Sequence, residues 1–160
     1  MQYDAMAVGN HEFDFGLDEA KKYKEILKFP LLSSNIYVNG TRLFEASTIV
    51  DKDKTVEGDE FVVIGVITPE TATKTHPKNV KGVTFTDPIT EVNKVIEEVQ
   101  AKASTEGKDY KHYVVLAYLG VDTTTPVEWR GSTLAEALSK NPRLKWKRVT
   151  VIDVHSHTVE

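Results

Sequence analysis

The stretch Tyr113–Leu119 reads Tyr-Val-Val-Leu-Ala-Tyr-Leu, with no charge and no turn former in it. An unbroken apolar run of this length is what a strand covered on both faces requires. Such a strand needs neighbouring layers, and the chain carries helices to supply them. Asp87-Pro88 is an N-cap followed by proline at the first helical position, and Ile89, Val92, Ile96, Val99 and Ala103 then recur at alternating spacings of three and four. Leu17, Ala20, Tyr23, Ile26 and Leu27 trace a second amphipathic helix, stopped by Pro30. Thr133-Leu134-Ala135-Glu136 is a capping-box pattern that opens a third helix, ending before Pro142.

Short β-rich runs lie between these helices. Met1–Val8 reads as a strand broken by Gly9-Asn10, and Leu31–Ile36 as another, followed by the turn signal Asn39-Gly40. Phe44–Val50 and Glu60–Thr68 form a hairpin around the charged stretch Asp51–Asp59. Val83–Phe85 is a further strand, and Val149–Ile152 a final buried one. The expectation is an α/β fold, one mixed sheet with packed helices, forming a single domain over residues 1–160.

Charge and composition narrow the function. The 20 Lys+Arg against 24 Asp+Glu give a net charge of −4 and no basic footprint for a nucleic acid polymer or an anionic membrane surface. No apolar stretch approaches the ~20 residues that span a bilayer. Met1-Gln2-Tyr3-Asp4 leads directly into the first strand, without the pattern of a signal peptide. The absence of cysteine excludes disulfides, thiolate zinc sites and cysteine nucleophiles.

Of five histidines, His11, His155 and His157 fall just past expected strand ends, where α/β proteins collect their sites. With Asn10 and Asp14 they offer oxygen and imidazole donors suited to Zn, Mn or Fe. In an extended chain the rings of His155 and His157 share one side. The same pair also fits two exposed or structurally hydrogen-bonded histidines.

The word Gly9-Asn10-His11-Glu12-Phe13-Asp14 resembles the GNHE block of the calcineurin-like metallophosphatases, in the GNHEFD form of the bacterial 5′-nucleotidases. Val151–Thr158 resembles that family's closing IDGHSHT block, and Phe29–Tyr37, Tyr113–Asp122 and Trp129-Arg130-Gly131 follow its catalytic domain in order. The resemblance implies half of an αββα sandwich and a two-metal phosphoesterase that hydrolyses nucleotide phosphomonoesters, with divalent ions such as Zn or Mn as cofactors. It implies Asn10 and His155 as metal ligands, with His157 on the second ion. His11 would act on the phosphoryl group, and Asp14 would orient it. Glu12 is expected as a solvent-facing charge and Phe13 as core packing. Members of the family are often exported or held at the bacterial surface.

Several features depart from the family pattern. The Asp-x-His and Gly-Asp blocks that precede GNHE in the family are absent, so the resemblance implies the second half of a catalytic domain. Tyr118-Leu119-Gly120 stands where the family has His-Leu-Gly, and a phenol is a poor ligand unless a metal ionises it. Val154 takes the place of a glycine, which a β-branched residue replaces badly if φ is positive there. Trp146 sits among Lys145, Lys147 and Arg148, and tryptophan is enriched at binding hot spots. The expected consequence is a crippled or inactive enzyme. The second reading is a recruited or engineered scaffold that binds a protein partner through Tyr118, Trp146 and Val154. An uncovered apolar sheet face would also favour a homodimer.

Overall fold

A computed structural model describes residues 2–155. In chain order the first elements are β1 (Met6–Ala7), α1 (Leu17–Ile26), β2 (Leu31–Leu32), β3 (Ile36–Val38), β4 (Thr41–Arg42), β5 (Ser47–Val50) and β6 (Phe61–Ile67). There follow the single-turn α2 (Thr71–Lys74), β7 (Val83–Phe85), α3 (Pro88–Thr105), β8 (His112–Tyr118), α4 (Gly131–Ser139) and β9 (Arg148–Val154).

The main sheet has the order β5-β6-β8-β9, with β5 antiparallel to β6 and the other three strands parallel. Parallel neighbours need crossovers, and α3 and α4 supply them. Both helices pack on one face, where Val62, Ile64, Val66, Tyr113, Val115 and Ala117 meet Val92, Val95, Ile96, Leu134 and Leu138. The fold is therefore the expected mixed α/β arrangement with packed helices. Two small sheets complete it: parallel β1-β2 and antiparallel β4-β3-β7. The β3–β4 hairpin turns through Asn39 and Gly40, both at positive φ, as a tight two-residue turn demands.

The β1-β2 layer lies directly on the second face of the main sheet. Leu32 joins Val50 and Val63 in a small core there, and the Ser34 amide donates to the Gly65 carbonyl at 2.7 Å. A Cβ on Gly65 would come within 2.3 Å of the Leu32 carbonyl oxygen, so only glycine allows the crossing. Asn35, fully buried, ties the layers together: its amide donates to the Ile67 and Thr86 carbonyls and its oxygen accepts from the Ile67 amide.

Some sequence expectations need correction. The first strand is only two residues long, because Gln2–Ala5 find no partner strand among the described residues. The run at Tyr113 is fully covered on the helix face alone, and Val114, Leu116 and Tyr118 on the other face are half-buried. The final strand is an edge strand among the described residues, and Ile152 (51% exposed) and Val154 (59%) lie beyond the β1-β2 layer. The third helix begins at Gly131, two residues before Thr133, whose hydroxyl instead donates to the Val127 carbonyl.

Candidate functional site

Three strand ends converge. β1 runs through Val8 into a 3₁₀ turn over Asn10–Phe13, anchored by the fully buried Phe13 ring. β8 ends at Tyr118, β9 ends at Val154, and these two residues are register partners. A Cβ on Gly9 would lie 3.0 Å from Tyr118 Cε2, and the Tyr118 ring sits 4.7 Å from the His155 imidazole, centroid to centroid. The 3₁₀ turn, Tyr118 and His155 therefore form one contiguous surface.

Within the turn the Gly9 amide donates to Glu12 Oε2 at 2.6 Å. That bond draws Glu12 inward to a half-buried position, correcting its expected solvent-facing role. Asn10 is only 8% exposed, and its Oδ1 is buried without a hydrogen-bond partner. Such an oxygen is uncommon in a folded chain and asks for an explanation. His11 and Asp14 lie on the outer side, with Nδ1 and Oδ2 2.8 Å apart, and Asn79 Nδ2 donates to the Asp14 carbonyl at 2.7 Å. Burial, followed by the carboxylates of Glu12 and Asp14, pushes the Tyr118 phenol above its ordinary value. A phenol in that setting stays protonated and neutral at pH 7.

Asp153 carries no role in the sequence reading, yet it organises the strand ends. Its Oδ1 accepts from the Leu119 amide at 2.9 Å and the Gly120 amide at 3.1 Å, while the Gly131 amide donates to the Gly120 carbonyl at 3.2 Å. The carboxylate thus ties the end of β8 to β9 and lies close against Gly131 at the start of α4. Burial pushes its pKa up against the lowering effect of these bonds. No local pattern marks this residue, because its partners are more than thirty positions away in sequence.

His155 has φ of 133°, a conformation L-residues rarely adopt. Val154 is instead an ordinary strand residue, so the positive φ considered for position 154 falls one residue later. His157 lies outside the described residues. Among the described residues no group of three or more His, Cys, Asp or Glu is arranged to hold a metal. The donors present fit a divalent ion in kind: the orphaned Asn10 oxygen and the His155 imidazole suit Zn or Mn, whereas the neutral Tyr118 phenol does not.

Trp146 does not join this surface. It is 90% exposed, has φ of 66°, and precedes β9, whereas Tyr118 and Val154 stand at the far end of that strand, ~20 Å away at strand rise.

The chain matches no protein-family model. It is 47% identical over 102 residues to the 5′-nucleotidase of Vibrio cholerae, covering 62% of this chain and 18% of that protein. It is 40% identical over 100 residues to Protein UshA of Yersinia enterocolitica, covering 61% and 18%. The chain thus spans about a fifth of the length of these curated relatives. Its fold superposes with a TM-score of 0.75 on the calcineurin-like phosphoesterase YfkN of Bacillus subtilis, at 22% identity, covering 98% of this chain and 46% of that one.

Proposed function

As a homologue of the 5′-nucleotidases of the calcineurin-like metallophosphatase family, this chain, we propose, carries part of a metal-dependent phosphoesterase site for nucleotide phosphomonoesters, with weakened metal binding. The observation that carries the reading is the buried, unpartnered Asn10 Oδ1 in the turn beside Tyr118, whose ring lies against His155. Asn10, His155 and His157 would hold the ions, which in such sites activate water and neutralise charge on phosphoryl oxygens. Asp14 occupies His11 Nδ1, which leaves Nε2 to donate a hydrogen bond or a proton to the leaving oxygen. Tyr118 presents a phenol against His155 where the family resemblance calls for an imidazole, and this weakens the site.

Titration calorimetry of the chelator-stripped chain with Zn²⁺ and then Mn²⁺ tests the proposal, alongside hydrolysis of a nucleoside monophosphate. One weak site is expected, with Tyr118→His tightening it by about tenfold, the effect of one recovered ligand contact. Two tight sites in the unaltered chain, or no gain from Tyr118→His, overturn the weakened-site reading. No binding by either form overturns the metal reading itself.

A second reading, partner binding, rests on Trp146 alone, since it is almost fully exposed on a left-handed backbone. Association with a second copy rests on a different surface, the exposed Ile152 and Val154. A monomer by light scattering at high concentration counts against the latter.

A further inference from the structure

At the edge of the main sheet opposite β9, a cavity of about 280 Å³ opens between β5 and the last turn of α3. Its polar lining is Glu45, Ser47, Thr48, Lys102, Glu106 and Tyr110, and Ile49, Val99 and Ala103 form an apolar wall. Tyr110 is only 8% exposed, yet its phenol has no hydrogen-bond partner among the described residues and borders this space. The side chains of Glu45, Ser47, Thr48, Lys102 and Glu106 are likewise without a hydrogen bond or ion pair among the described residues. Lys102 and Glu106 are four residues apart on α3 but in the weaker order, lysine before glutamate, and they do not meet.

We propose that this cavity binds a small zwitterion of the amino-acid class, with a short aliphatic side chain. Two carboxylates and the negative end of the α3 dipole suit an ammonium group. Lys102 suits a carboxylate, and the Ser47 and Tyr110 hydroxyls complete the polar shell. Ile49, Val99 and Ala103 receive the aliphatic part. A ligand of a single sign would leave lining charge of its own sign uncompensated, which is why both charges belong on one molecule. The volume falls just under the usual range for small-molecule pockets, about 300–1,000 Å³, and so admits one small molecule. The site is separate from the strand-end surface and does not depend on the reading given above.

The test is a titration of the ¹⁵N-labelled chain with L-leucine, followed by amide chemical shifts. Isoamylamine and isocaproate serve as probes that each carry one of the two charges. Saturable shifts confined to residues 45–49 and 99–110 are expected, with leucine about tenfold tighter than either control, the worth of one additional partly exposed ion pair with its hydrogen bonds. Lys102→Gln and Glu106→Gln should each weaken leucine by about fivefold, as for loss of an exposed charge pair. Tyr110→Phe, which keeps the ring and so the packing, should weaken it by about threefold, as for one neutral hydrogen bond. Shifts that do not saturate, equal binding of either control, or variants that bind as the unaltered chain does would each overturn the proposal.

Discussion

Gly131→Ala puts the role of Asp153 to a quantitative test. A Cβ at position 131 would lie 2.2 Å from Asp153 Oδ2 and 2.7 Å from its Cγ, so the carboxylate must leave its seat. It then gives up its bonds from the amides of Leu119 and Gly120. Hydrogen bonds to a charged group contribute about 1.5–3 kcal/mol each, and loss of two costs about 3–4 kcal/mol after allowance for partial exposure. Alanine in place of helical glycine returns up to ~1 kcal/mol, leaving a net destabilisation of roughly 2–3 kcal/mol. In urea unfolding followed by circular dichroism, with a slope of ~1–3 kcal/mol/M, the midpoint should fall by about 1–2 M. The same substitution in an Asp153→Ala background should be neutral or mildly stabilising, since the clash and the lost bonds are already absent. Equal cost in both backgrounds, or a loss under ~0.5 kcal/mol in the unaltered chain, would refute the argument that Gly131 exists to admit the carboxylate.

Gly65→Ala should destabilise by about 3 kcal/mol through overlap with the Leu32 carbonyl, and an unchanged melting temperature would contradict the close crossing of layers. Trp146→Gly relieves a left-handed, solvent-exposed tryptophan and should raise the melting temperature by about 2–3 °C, where a fall would show that the ring packs favourably. Hydrogen bonds from Lys111 and then Lys147 hold Asp109 at about 2, below its ordinary value of 3.8. A depressed carboxylate stabilises above its unfolded value and loses that contribution as pH falls through its folded value. The stability difference between the unaltered chain and Asp109→Asn should therefore be full above pH 4 and vanish toward pH 2, which unfolding curves at a series of pH values will show.

Much of the fold was legible because the strongest signals are local. Asp87-Pro88 with its apolar stripe begins α3 where expected, and Asp87 Oδ2 accepts from the Thr90 amide as an N-cap should. The stripe missed Val95, which is buried because α3 sits in a groove that covers more than a narrow line of residues. Burial on the second face of the sheet escapes the sequence for a tertiary reason. An apolar run reports that a face is greasy, not how far another layer extends over it, and β1-β2 stops short of β9. In the site, Gly9–Asp14 announced itself as a motif, while Asp153 and Gly131 stayed silent. Their meaning lies in a contact between strand and helix that no spacing rule encodes.

The parallel pairing of β6, β8 and β9 has a kinetic consequence. Phe61 faces His112 and His112 faces Arg148, so the sheet joins residues roughly fifty and thirty-five positions apart, and closing such loops is entropically slow. The Asn39-Gly40 hairpin and α3 need only neighbours in sequence and can form on the microsecond scale. The surface shared by Asn10, Tyr118 and His155 joins the two ends of the described chain, so it is among the last parts to assemble. A chain caught midway would hold its helices but have no place for a ligand at the strand ends.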